Sequence, residues 1–313
     1  MKGLSIFFSK TKANVSVKPV ANHFSLKTNQ NKFTIHTTIN HPLFNYLQKY
    51  KLYDRFLPFL VSNSGGGIID IGANIGDTAI LVKSKTNCKI ICVEPDNYFL
   101  SILEKNISLN NLTDIEIFPH PISNQSKSVS IVKNQLSSTA NISEDKDGEL
   151  VTYSIKQLIE ILKVDINQYP VLKIDTDGFD WDVLKSLVEY YETIGNSKFK
   201  FIFFEFQFYL NNLGFHDPEM DWRINEFIIA LNKLKTFDYN ILYVFDNFGT
   251  HMFSTDDIDI VKKLANYIIL SQTKNNSPTI WFCDILICND SNKNAVEKAL
   301  FEYSENDIVA TED

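Results

Sequence analysis

The sequence predicts an α/β protein with a mostly parallel sheet and helices on both faces. From Ile68 onward, apolar strand-like runs alternate with amphipathic helical stretches, as βαβ units do. The segment Ile68-Ile-Asp-Ile-Gly-Ala-Asn-Ile-Gly-Asp-Thr78 also passes from a buried-strand pattern, through two glycines, into a helix beginning near Asp77. A chain of 313 residues can bury one large core of this kind, or a core and a small accessory unit.

The elements follow in order. Residues 24–37 alternate around a polar turn, as a hairpin does, and a helix is expected from Pro42 to about Val61. Ser62-Asn-Ser-Gly-Gly-Gly67 then reads as a flexible turn leading into the first core strand; a phosphate loop would follow a strand instead. The second core strand is Lys89-Ile-Ile-Cys-Val-Glu94, followed by a helix whose apolar positions are Phe99, Leu100, Leu103 and Ile107. The third strand begins at Ile115 and runs towards Pro121. Residues 123–150 are loop-rich, with one strand at Val129-Ser-Ile-Val132. The fourth and fifth strands are Val171–Asp175 and Phe201–Glu205, and late strands are expected at Asn240–Asp246 and Ile280–Cys288. After Asn289 the chain is polar, with one short helix at best. The expected division is an N-terminal extension with its hairpin (1–41), one core domain (42–289) and a polar C-terminal tail (290–313).

Bulk properties narrow the function classes. A formal charge of −8 and no Lys/Arg cluster speak against nucleic acid as partner, because phosphate neutralisation needs a basic face. Cys88, Cys92, Cys283 and Cys288 lie in apolar runs without a C-x-x-C pair and read as reduced core residues. The run Leu4–Phe8 is too short for a signal peptide or a membrane span. A cytoplasmic protein without stable membrane insertion is expected, and a homo-oligomer is compatible with the chain.

A strand that turns over small residues into a helix brings a ligand close to backbone N–H groups. A dinucleotide fold would want a second glycine where Asn74 stands, and no lysine follows as a phosphate loop requires. Acidic Asp70 and Asp77 at the two ends suit a cationic ligand carrying sugar hydroxyls, and S-adenosylmethionine is such a ligand. Glu94 lies a little over twenty residues after Asp70, about where a doubly wound fold places a carboxylate on ribose hydroxyls.

The second constellation is Lys173-Ile-Asp-Thr-Asp-Gly-Phe-Asp-Trp-Asp182, followed by Phe203-Phe-Glu-Phe-Gln207. Ligands of open α/β sheets bind beyond the carboxyl ends of the strands, so Asp175 and Glu205 are expected to face the crevice that Gly72 and Glu94 face. Asp180 and Asp182 read as helix caps. A carboxylate closing a buried apolar strand needs a purpose, because an unpaired buried charge is costly. Asp175 and Glu205 are therefore the candidates for general base, or for sharing a divalent cation, with oxygen ligands favouring Mg²⁺ or Ca²⁺.

Three ordered motifs resemble the FkbM-like methyltransferases: Ile69-Asp-Ile-Gly-Ala-Asn-Ile-Gly-Asp77, Val93-Glu-Pro95, and Leu172-Lys-Ile-Asp-Thr-Asp-Gly-Phe-Asp180. The late segments Asp246-Asn-Phe-Gly249 and Phe282-Cys-Asp-Ile-Leu286 are similar to those closing a bacterial branch of that family, so the resemblance spans about residues 42 to 288. It implies a class I, Rossmann-like methyltransferase fold with a seven-stranded, mostly parallel sheet, preceded here by the small hairpin and helix extension. It implies methyl transfer from S-adenosylmethionine, most often to a hydroxyl of a sugar or natural product. By position, Asp70, Gly72, Asn74 and Gly76 would cradle the methionine part, Glu94 would hold the ribose, and Asp175 would lie near the methyl group. Asp77, Thr78, Pro95 and Asp96 complete the expected cofactor-binding set. Two departures stand out. Members often have Leu-Asp where this chain has Ile155-Lys156, and Asp-x-Glu-Gly where it has Asp175-Thr-Asp-Gly178.

The expected reaction is O-methylation of a sugar hydroxyl in a surface glycan or glycosylated natural product, with Asp175 as first and Glu205 as second base. The alternatives are N- or C-methylation of a small, lipid or peptide acceptor, and a non-catalytic cofactor-binding module. His120, between two prolines, reads as a loop residue. Ser137-Ser-Thr-Ala-Asn141, His216 and the aromatic run Phe203–Tyr209 lie near where cofactor and acceptor would sit, and His251 is a distant base candidate.

Overall fold

The computed structural model describes residues 23–29, 31–38, 41–133, 140–194, 197–208, 217–275 and 280–312. The expectations for Leu4–Phe8, Ser137–Thr139, Tyr209 and His216 lie outside them. Eight strands form the central sheet. In spatial order these are β12 (His251–Thr255), β11 (Ile241–Asp246), β13 (Cys283–Cys288), β10 (Phe201–Phe206), β9 (Val171–Ile174), β3 (Ile68–Ile71), β4 (Ile90–Val93) and β5 (Ile115–Phe118). The four pairings from β10 to β5 are parallel, and the three from β10 to β12 are antiparallel. The sheet is thus mixed, and β12 adds a strand to the expected seven. β12 was missed because its residues are at most half-buried and show no clean apolar alternation.

The strands alternate their apolar residues between two cores. Ile69, Ile71, Leu172, Ile174, Ile202 and Phe204 pack against α5 (Ile155–Ile161), α6 (Asp180–Ile194), α7 (Trp222–Lys235) and α8 (Asp259–Asn275). Ile68, Ile90, Cys92, Val171 and Phe201 face the other side. There α1 (Leu43–Lys49), α2 (Phe56–Ser64), α3 (Asp77–Lys83), α4 (Asn97–Leu109) and α9 (Lys293–Ser304) cover the sheet. No helix among the described residues is long and apolar enough to cross a membrane.

The helix expected over Pro42–Val61 is two helices. Tyr50 is extended and Asp54 adopts φ 54°, so the chain turns between α1 and α2 and aims Tyr53 and Asp54 at the sheet's carboxyl edge. The glycine run after α2 is not a loose turn either. Gly65 closes the helix in the left-handed region, and a Cβ on Gly67 would lie 2.0 Å from the Lys89 carbonyl oxygen.

The expected hairpin is β1 (His23–Lys27) and β2 (Lys32–His36), but its other neighbour is β14 (Val309–Thr311). The polar tail therefore carries the twelve-residue α9 and a strand, and buries Val296, Ala299, Tyr303, Ile308 and Ala310. Its spaced apolar residues were too few for the pattern to stand out. A second small sheet, β7 (Ala140–Glu144), β6 (Ser128–Lys133) and β8 (Leu150–Val151), occupies the loop-rich stretch.

Candidate active site

At the turn after β3, Gly72 has φ 87°, and a Cβ there would lie 1.6 Å from the Asp175 carbonyl oxygen. Only glycine lets the loops after β3 and β9 meet so closely. Asn74 (φ 47°) and Gly76 (φ 81°) continue the turn, and α3 starts at Asp77. Two clefts open on either side of this junction, and Gly72, Asn74, Asp175 and Asp177 line both.

The first cleft, of about 590 Å³, is walled by Val93, Pro95, Phe99, Pro121, Ile122 and Phe179, with Glu94 at one end. The Glu94 carboxylate is fixed by the chain itself: Oε2 accepts from the Asn74 amide at 2.8 Å and Oε1 from the Asp96 amide at 2.8 Å. Burial pushes its pKa up to about 7, against the pull of these two amides. Each oxygen retains a lone pair, which suits ribose hydroxyls. Thr176 lines the same cleft, and its buried hydroxyl oxygen has no partner. A flat apolar slot, a fixed carboxylate and an unused hydroxyl fit an adenosine-bearing ligand. Asp96 lines this cleft and also caps α4, accepting from the Tyr98 and Phe99 amides at 2.8 and 3.2 Å.

The second cleft, of about 960 Å³, contains His41, Tyr46, Tyr53, Asp54, Asp77, Thr78, Lys173, Asp175, Glu205 and Gln207 in its wall. Asp284 joins Asp54, Lys173 and Glu205 in the wall of a neighbouring cavity that shares these residues with the cleft. Register explains the gathering. Asp70 pairs with Lys173 across β3 and β9, and Glu205 with Asp284 across β10 and β13. By the two-residue period all four share the face of α1–α3, with Asp175 next on that face beyond β9. A polar stripe thus crosses an otherwise apolar surface.

Lys173 organises the stripe. Its ammonium lies 3.0 Å from Asp70 and 3.2 Å from Asp175. Burial works against this ammonium, but Asp175 and Asp70 outweigh it and hold its pKa well above the ordinary value. Asp70 is completely buried and lines neither cleft, so its observed contact is with Lys173, not with the cleft where the cofactor was expected. Gly76 likewise shapes the turn from behind, packed against Leu103.

The two predicted bases differ sharply. The Asp175 side chain is 43 % exposed, opens onto both clefts and is steered by Lys173. Glu205 is 7 % exposed and accepts a hydrogen bond from Gln207 Nε2 at 2.9 Å. Burial, then the nearby Asp175, pushes its pKa well above the carboxylate range. This shift favours the protonated form of Glu205. Burial and Asp175 do the same to Asp177. Asp180 accepts from the Thr176 and Gly178 amides, both at 3.2 Å, and so fastens the turn before α6. Asp182 accepts from the Asn124 amide at 3.3 Å instead of capping the helix.

Among the described residues, no three His, Cys, Asp or Glu side chains converge as a metal site. Lys173 already supplies the cation beside Asp175, so a shared Mg²⁺ or Ca²⁺ finds no support in this donor set. His120 packs between Phe118 and Tyr153, with ring centroids 5.0 and 4.8 Å away, and lines neither cleft. His251 lies among Tyr243 and Phe245, also away from both. Residues without a role in the sequence reading are Asp54, Tyr53, Gln207 and Lys173. A lysine inside the buried run Val171-Leu-Lys-Ile174 was the available signal, since a buried ammonium requires carboxylates.

Comparison with known proteins accords with this geometry. Residues 70–240 match the methyltransferase FkbM domain model. Those residues hold the glycine turn, Glu94, Lys173, Asp175 and Glu205. No curated relative matches the chain. Among solved structures, an O-methyltransferase from Bacillus cereus in complex with SAH is 12 % identical, with a TM-score of 0.40, covering 75 % of this chain and 80 % of that one. A precorrin-6y C5,15-methyltransferase from Geobacter metallireducens is 9 % identical, with a TM-score of 0.35 and coverages of 74 % and 86 %. An rRNA methylase from Streptococcus thermophilus is 9 % identical, with a TM-score of 0.36 and coverages of 76 % and 94 %. Likenesses this distant carry no weight on substrate; the domain match, which spans more than half the chain, does the assigning. The fold is the class I one that the resemblance implied, with a mixed sheet and an added edge strand. The chain belongs to the FkbM-domain methyltransferases, and is a methyltransferase dependent on S-adenosylmethionine.

Proposed function

We propose that this protein methylates a hydroxyl group of a sugar, with Asp175 as the base. The observation that carries the reading is that Asp175 belongs to the wall of both clefts, so a single carboxylate meets donor and acceptor. Bound S-adenosylmethionine supplies an electrophilic methyl on a sulfonium. In this reading Glu94 receives the ribose hydroxyls, Thr176 adds a hydroxyl contact, and Gly72, Asn74 and the start of α3 hold the methionine end.

On the acceptor side, Lys173 keeps Asp175 aimed at the junction between the clefts. The bound donor would supply the methyl and keep the electron pair of the broken bond on its sulfur, while Asp175 would take the acceptor's hydroxyl proton. Glu205 and Asp177, whose protonated forms burial favours, can donate hydrogen bonds to neighbouring sugar oxygens. The chain's main task is alignment, since oriented reactants alone remove much of the barrier. Lys173 supplies the positive charge beside the reacting carboxylate, and the reading needs no divalent cation. The cytoplasm is the proposed compartment, in keeping with four free cysteines.

The test is incubation with S-adenosylmethionine and a panel of sugars, with products identified by mass spectrometry and NMR. A methyl ether on a sugar carbon is expected. Methyl on nitrogen or carbon would replace the reading with the corresponding transferase. Cofactor binding with no turnover on any acceptor class would favour a binding module.

A further inference from the structure

The acceptor cleft is lined by Asp54, Asp77, Asp177 and Glu205 besides Asp175, but by one ammonium only among the described residues. That ammonium, on Lys173, is already engaged by Asp70 and Asp175. Asp54, Asp77 and Asp177 form no ion pair among the described residues. His41 adds no positive charge, because burial pushes its ring down to about 4. An acidic wall alone would define no ligand, since acidic faces are commonly just solvated.

Gln207 supplies the independent sign. It is 8 % exposed and its Nε2 donates to Glu205, which leaves Oε1 buried in the cleft wall without a donor. A buried carbonyl in that state calls for an N–H or O–H group from a ligand. Tyr46 and Tyr53 stand edge-on with centroids 5.4 Å apart on the same wall, and ring faces attract cations.

We propose that the acceptor sugar carries a free ammonium group, seated between Gln207 Oε1, the Asp54 and Asp77 carboxyls and the tyrosine rings. The proposal rests on the cleft being the acceptor site. Desolvation, and after it the neighbouring charges, pushes Asp54 up to about 7 and Asp77 up to about 6, and an incoming cation would favour the carboxylate form of both. A neutral sugar would gain no ion pair with them.

The experiment compares kcat/KM for matched acceptors, oligosaccharides of glucosamine or galactosamine with the amine free or N-acetylated, with S-adenosylmethionine as donor. A preference of about tenfold or more for the free amine is expected, as a charged hydrogen bond supplies. Asp54→Asn should abolish the preference while calorimetric affinity for S-adenosylhomocysteine stays within about twofold. N-acetylated or neutral sugars turned over equally well would overturn the ammonium site and leave sugar methylation standing. Methylation of non-sugar amino alcohols alone would keep the ammonium site and remove the sugar. Loss of S-adenosylhomocysteine affinity in Asp54→Asn would assign the carboxyl to the donor and contradict the proposal, as would turnover of neither acceptor class. If Asp54→Asn does not fold, the wild-type comparison decides by itself.

Discussion

The two clefts on either side of Gly72 are built by opposite means. On the Glu94 side a single carboxylate is satisfied by amides at positions 74 and 96, within one strand–turn–helix neighbourhood. On the Asp175 side, carboxyls from α2's approach, α3, β10 and β13 line the cleft and its neighbouring cavity, while the one ammonium, from β9, pairs with Asp70 and Asp175. The first cleft is preorganised by backbone amides that hold its carboxyl in place. The second buries several carboxyls near one another, and desolvation, with neighbouring charge behind it, raises their pKa values and leaves the charge state responsive to what enters. A cofactor common to a family suits the first design, and a particular acceptor suits the second.

The largest effect that can break this contrast is expected at Lys173. Lys173→Met strands the fully buried Asp70 and should cost about 3–5 kcal/mol of stability, read by denaturant unfolding. Adding Asp70→Asn should restore most of that loss but not methyl transfer, because Asp175 remains unsteered. Recovery of full activity in the double variant would show that the pair is merely structural. Glu94→Gln comes next: glutamine has one acceptor oxygen where the carboxylate uses two, so one of the Asn74 and Asp96 amides loses its partner, and affinity for S-adenosylhomocysteine should weaken by about tenfold or more while acceptor KM changes little. A shift confined to acceptor KM would reverse the assignment of the clefts.

The smallest effect is on pH and stability. Burial raises Glu94 and Asp180 to about 7 and Asp77 to about 6, so between roughly pH 4.5 and 7 the folded chain binds more protons than the unfolded one. Stability is therefore greater below that window and falls as pH rises through it. His41, pushed down to about 4, works in the opposite direction but is one group against several. The melting temperature without ligand should be lower at pH 8 than at pH 5, and a flat or rising trend would mean these carboxyls are better solvated than the geometry indicates.

The contrast between the clefts also explains what could be read from the sequence. The glycine turn, Glu94 and the parallel half of the sheet were legible because their determinants are local: a strand, a turn needing positive φ and a helix start lie within eleven residues. Asp54 was hidden inside an expected continuous helix, because only the tertiary fold shows the chain breaking at Tyr50. The pairing of Lys173 with Asp70 depends on strand register, which sequence periodicity does not specify between β3 and β9. Glu205 is legible as a strand-end carboxylate, but the shift that favours its protonated form is not, since it comes from burial and from neighbours such as Asp177 and Asp284 on other elements. The tail after Asn289 was underestimated for the same reason: α9 is stabilised by its fit against α2 and the sheet more than by its own composition.

Asp175→Asn tests the central claim most directly, because it removes the proton acceptor while keeping the shape of the junction between the clefts. Single-turnover methyl transfer should fall by about 10²–10⁴-fold, with calorimetric affinity for S-adenosylhomocysteine nearly unchanged. Turnover close to that of the wild type would contradict the account, and so would a loss of activity fully explained by lost cofactor affinity.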